Sequence, residues 1–191
     1  MTAATPQRAE FFHWADRLLE CSRKSLIDNT ERGEPKRCSV VVGSDLVWDE
    51  CDCGGLLAVQ LLRAFPSETF PIIKQNGPFN RCVIPRTVVQ YTVSILRCVA
   101  QPSGFDEAPS VDRMTADAMT DFEDRWAIMR GVTCCLDQEA RDEPGTAPVY
   151  ILGEQIALGE GGKCAGSQLT VFLGLQNCVP CSDSETPWAV P

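Results

Sequence analysis

Eleven cysteines and a single histidine carry most of the reactive chemistry in this 191-residue chain. A thiolate is both a nucleophile and a soft metal ligand, so gathered cysteines would point to thiol catalysis or to zinc. Here they stand instead at the edges of strand-like or helix-like runs. Cys51 and Cys53 follow Trp48-Asp49, Cys98 closes Leu96-Arg97, Cys134 and Cys135 follow Thr133, and Cys164 follows Gly161-Gly162-Lys163. Sulfur at such places suits a cross-link or a tight joint between elements. Cys38, Cys51, Cys53, Cys82, Cys98, Cys134, Cys135 and Cys164 are therefore the candidate disulfide or junction positions.

Three uses of these thiols compete: buried free thiols acting as small hydrophobes, disulfides formed late in an oxidising exterior, and a zinc site. Cys51-x-Cys53 and Cys178-x-x-Cys181 contain four thiolates, a sound tetrahedral set for zinc. The first spacing is one residue short of the usual knuckle, and the second pair lies in a Pro-bearing tail, so no metal or other cofactor is expected. Because eleven is odd, at least one thiol stays free or pairs between chains.

The remaining chemistry-bearing residues argue against an enzyme. Any Ser/His/Asp or Cys/His arrangement would depend on His13, and no Gly-x-Ser-x-Gly elbow is present. The run Gly159-Glu160-Gly161-Gly162-Lys163 resembles a phosphate loop but has Ala157 and Cys164 where that pattern needs Gly and Ser or Thr. It reads as a glycine turn between two strands. Asp121-Phe122-Glu123-Asp124 fits the solvated face of a helix. Arg86 and Arg97 flank a long strand, either as surface charge or as inter-subunit ion pairs; Trp48 and Asp49 are further candidate inter-subunit contacts.

The elements that must position these residues follow from periodicity. A helix is expected over 6–29, capped by Thr5 with Pro6 in its first turn. Phe11, Ala15, Leu18, Ser22 and Leu26 form its inner stripe, widened by Phe12 and Leu19. Strands are expected over 38–42 (with 46–48 as a hairpin partner), over 56–65 as a central strand, and over 87–99. In the last of these Val89, Tyr91, Val93 and Ile95 share one face and Gln90, Thr92 and Ser94 the other. A long Pro-rich loop is expected over 66–85. A second helix over 110–136, capped by Ser110, would bury Val111, Met114, Ala118, Phe122, Trp126 and Met129. Strands over 150–158 and 167–175 follow, then a polar arm over 176–191.

The fold class is α+β, with a mixed, mainly antiparallel four- to five-stranded sheet covered on one face by two long helices. One domain over 1–175 suits a chain with 44% apolar residues. No run approaches a membrane span, and Met1 to Glu10 lacks an apolar export core, so folding in a cytoplasm and no membrane partner are expected. The formal charge of −9, from 17 basic and 26 acidic residues, disfavours affinity for nucleic acid. It suits a duct through which DNA slides without adhering.

The stretches Cys38-Ser39-Val40-Val41-Val42-Gly43 through Trp48-Asp49 and Cys51, then Gly54-Gly55-Leu56 and Leu96-Arg97-Cys98, form an ordered set. Ala127-Ile128-Met129-Arg130, Val132-Thr133-Cys134-Cys135-Leu136 and Gly161-Gly162-Lys163-Cys164-Ala165-Gly166-Ser167-Gln168-Leu169-Thr170-Val171 complete it. Together they cover most of 38–175, and the set resembles the tail terminator proteins of long-tailed, non-contractile phages of actinobacteria. The chain departs from that pattern in the length of its 66–85 loop and in Cys178 and Cys181.

The resemblance implies a lambda-type terminator fold and a homohexameric ring at the tail-neck junction of the virion, assembled in the host cytoplasm. Such a ring caps the tail tube, ends its polymerisation, and meets the head-to-tail connector or stopper protein on its other side. The major tail tube protein and further copies of the chain are its partners, DNA passes through the lumen, and no catalysis is implied. Sulfur at element junctions would lock the ring once the particle leaves the reducing cell. Another neck component, a head-closure or adaptor protein, is the alternative, and a Cys/zinc-based module a more distant one. Neck adaptors are mostly helical, unlike the strand-rich pattern here.

Overall fold

A computed structural model describes residues 6–43, 46, 54–73, 86–102, 104, 107–144, 147–161 and 163–175. The elements run α1 (Pro6–Asn29), β1 (Arg37–Val41), β2 (Leu56–Ser67), β3 (Arg86–Cys98), α2 (Val111–Asp142), β4 (Val149–Gly161) and β5 (Cys164–Leu175). The fold is α+β, as its periodicities suggest. Five strands lie in the order β1-β2-β3-β5-β4; β1 and β2 are parallel, and every other neighbouring pair is antiparallel.

Each helix ends for a local reason. Thr30 closes α1 by donating both its backbone N–H (3.1 Å) and its hydroxyl (2.8 Å) to the Leu26 carbonyl, and Gly33 then takes a positive φ of 61°. Ser110 caps α2, its hydroxyl accepting the Arg113 N–H at 3.4 Å. That helix runs to Asp142, beyond the expected end at 136, because no Gly or Pro interrupts it there. Thr5, the expected cap of α1, lies outside the described residues.

The alternation of β3 and β5 places Val89, Tyr91, Val93, Ile95, Leu169, Val171 and Leu173 on one face, where α1 and α2 cover them in a single core. Tyr91 donates its hydroxyl to the Phe11 carbonyl at 2.8 Å, tying β3 to α1. Three expectations are corrected. The strand over 56–65 reaches Ser67, so the loop after it is shorter; its residues 74–85 lie outside the described ones. Leu46 belongs to no strand, and Val47 and Trp48, the rest of the expected hairpin partner, lie outside the described residues; β1 pairs in parallel with β2. Phe12 is 61% exposed.

The largest correction concerns α2. Val111, Met114, Phe122, Trp126 and Met129 are exposed, whereas Asp124, Ala127, Ile128, Gly131, Val132 and Leu136 are buried. The seam against α1 decides this. A Cβ on Gly131 would stand 2.5 Å from the Ser25 Cβ and 2.8 Å from the Cys21 carbonyl oxygen. Helices this close admit only small residues between them, so the aromatic stripe is turned outward.

Candidate functional site

The α1–α2 seam carries the chain's clearest cross-link. Cys21 and Cys135 form a disulfide with Cα atoms 6.0 Å apart, joining positions 114 residues distant in sequence. Cys135 belongs to the candidate set; Cys21 does not. Its signal was its helical phase, three residues from Leu18 and four from Ser25, which places it on the inner side of α1. Arg17 donates to Glu139 at 2.6 Å along the same seam, and Ser25 donates to the Ala127 carbonyl at 2.7 Å. A groove of about 510 Å³ beside the disulfide is lined by Arg17, Lys24, Arg130 and Cys134, whose thiol is free and exposed.

The other candidate cysteines separate into different environments. Cys38 is a half-buried free thiol whose pKa is pushed up by burial. Cys98 and Cys164 face each other across β3 and β5. Cys164 is buried and disulfide-bonded. Cys51, Cys53, Cys82, Cys178, Cys181, Trp48 and Asp49 lie outside the described residues. Among the described residues, no group of three or more His, Cys, Asp or Glu side chains could hold a metal ion.

Arg97, a candidate inter-subunit contact, is engaged within the chain. Its guanidinium grips both Asp124 oxygens, Nε at 2.8 Å and Nη2 at 3.0 Å, and Nη2 also donates to the Gly33 carbonyl at 2.6 Å. One side chain thus ties the end of β3 to α2 and to the turn after α1. Asp124 is only 1% exposed, so the run Asp121–Asp124 is not uniformly a solvated face. Burial raises the pKa of Asp124 against the opposing pull of Arg97. The cavity beside this pair, about 200 Å³, is lined by further matched charges: Arg32 with Asp117 and Arg125 with Asp121. Its side chains satisfy one another, which makes it a structural joint. Arg86 is half-buried at the first position of β3.

His13 is exposed on α1, its ring edge-on to Trp14 at 5.2 Å. Gly159, Glu160 and Gly161 of the glycine run lie within β4, not in the expected turn, since β4 and β5 run beyond 150–158 and 167–175; the Val99 N–H donates to the Lys163 carbonyl at 3.0 Å. No helix of the described chain is long and apolar enough to cross a membrane.

Among the exposed side chains, two groups of apolar residues lie at the two ends of the sheet. α1 rests on β1, β2 and β3, while α2 rests on β5. At the β1 end, Phe11, Phe12, Val40, Val42 and Leu61 line a groove of about 340 Å³, with Val42 95% exposed. At the β4 end, α2 presents a ridge of Met119, Phe122, Trp126 and Met129, with the Arg130 guanidinium 5.1 Å from the centre of the Trp126 ring. Tyr150 holds β4 to this helix by donating to Asp137 at 2.7 Å, and Gln155 donates to the Arg125 carbonyl at 3.3 Å. On the opposite face of β4, Ile151 and Ile156 are also open.

Compared with protein-family models and with curated proteins, the chain matches none.

Proposed function

We propose that the chain is a structural assembly protein of the tail-terminator type. Six copies close into a ring that caps the tube of a long non-contractile phage tail, stops its growth and joins it to the head-to-tail connector. The reading is carried by one observation: two unlike apolar surfaces stand at opposite ends of the molecule. A head-to-tail contact needs two different complementary patches, and such contacts close into rings where the rotation between copies closes. The order of short sequence stretches over 38–175 and the α+β sheet fold support the same assignment. The acidic balance of the chain, −9 overall, suits a collar through which DNA passes without adhering.

In this reading no residue performs chemistry; edges and apolar faces do the assembling. The disulfide between α1 and α2 stiffens each copy. The test is deletion of the gene in the phage that carries it, followed by electron microscopy. Headless tubes of unregulated length, restored to uniform length by the purified protein, are expected. Tails of normal length on intact particles would overturn the proposal.

A further inference from the structure

The two apolar ends differ in shape as well as position. At the β1 end the surface is concave: Phe12 of α1 and Val42 beyond β1 flank a trough floored by Ala15, Val40 and Leu61. At the β4 end it is convex: Phe122 and Trp126 project from α2, 63% and 48% exposed. Each end therefore lacks what the other supplies. The two ends differ in charge too, since Arg37 is exposed at the start of β1 and Lys36 just before it, whereas Glu154 is exposed on β4. Two ridges meeting face to face would instead bring the Arg130 guanidinium over each Trp126 towards its own copy.

We propose that copies join head to tail, the Phe122–Trp126 ridge of α2 seating in the Phe12–Val42 groove at the β1 end of the next copy. The inference rests on the reading of the chain as a self-assembling ring component and names the surfaces that mate. The contact continues both layers of the fold, because α1 of one copy comes to lie beside α2 of its neighbour. Aromatic anchors in an apolar pocket are what concentrate binding energy at an interface.

The experiment uses the full chain and two exposed positions, Trp126→Glu and Phe12→Glu, read by native mass spectrometry over a concentration series. Circular dichroism confirms that each variant is folded. The wild type is expected to form closed oligomers. Each variant alone is expected to lose self-association about 30-fold or more, the size of a hot-spot loss. An equimolar mixture is expected to give one-to-one dimers and nothing larger, since only one intact ridge and one intact groove remain to meet.

Oligomers of Phe12→Glu equal to those of the wild type would show ridge-to-ridge pairing and overturn the inference. A mixture that stays monomeric, or a wild type monomeric up to its solubility limit, would overturn it equally. Copies that mate by these surfaces yet fail to cap tubes sink the terminator reading and leave this one standing. Capped tubes with monomeric mixtures do the reverse.

Discussion

Replacing Gly131 by alanine tests the claim that close approach of the helices sets the face α2 buries. By intrinsic propensity alone, alanine should stabilise a helix interior by about 1 kcal/mol relative to glycine. The seam reverses the sign. The new methyl would stand 2.5 Å from the Ser25 Cβ and 2.8 Å from the Cys21 carbonyl oxygen. Comfortable carbon contacts begin near ~3.5 Å, so the helices must part by roughly 1 Å. Ser25 cannot simply swing aside, because its buried hydroxyl donates to the Ala127 carbonyl at 2.7 Å. Overpacking of this kind costs about 1–3 kcal/mol, and a strained or lost hydrogen bond adds about 1 kcal/mol. The net expectation is destabilisation by about 1–3 kcal/mol, a melting temperature lower by roughly 3–10 °C for a chain of this size. Urea titration followed by circular dichroism measures it. Gly159→Ala serves as control, since a Cβ there meets nothing within 4 Å. A Gly131→Ala protein as stable as the wild type would refute the seam argument.

The remaining predictions concern other joints of the fold. The Cys21–Cys135 bridge spans 114 residues, so Cys21→Ala with Cys135→Ala should lower stability by up to about 5 kcal/mol on the loop-closure estimate. Non-reducing peptide mapping should recover the linked pair, and its absence would remove the basis of this prediction. Asp124→Ala should cost about 3–5 kcal/mol by leaving the Arg97 guanidinium buried and unpaired. Arg97→Met with Asp124→Leu should recover most of that loss in denaturant titrations, and a double variant no better than the single would contradict the pairing argument. The chain has two tyrosines, and burial raises the pKa of both, Tyr150 with its hydrogen bond to Asp137 being pushed up to about 12. A folded pKa above the unfolded value near ~10 means stability that is complete below pH ~10 and lost as pH rises through the folded pKa. Tyrosinate absorbance should therefore stay low at pH ~10; ordinary ionisation there would disprove the burial of both rings.

The strands show how much was legible locally. In β3, Val89, Tyr91, Val93 and Ile95 alternate with Gln90, Thr92 and Ser94, and that period alone assigns the strand and the face the helices cover, although Thr92 and Ser94 on the other face are buried as well. The extent of α1 and the cap of α2 at Ser110 were readable for the same reason, since caps and periods act within a few residues. Composition marked a turn after β4, but Gly159 and Gly161 prolong that strand instead. The two ends of the fold were less open to inspection. Phe12 and Trp126 look like core residues in any window of their own helices, yet both are exposed.

Sequence by itself thus determined the kinds of elements, the α+β class and the helix-facing sides of the long strands, because those depend on short-range period and turn chemistry. Only the tertiary structure decided which side of α2 is buried. That helix offers two apolar stripes, and the choice fell to Gly131 and Ala127, the small residues that let α1 approach. The partners Cys21 with Cys135 and Arg97 with Asp124 were settled at the same level. Each joins groups far apart along the chain, and their meeting depends on how whole elements pack, which no local pattern encodes.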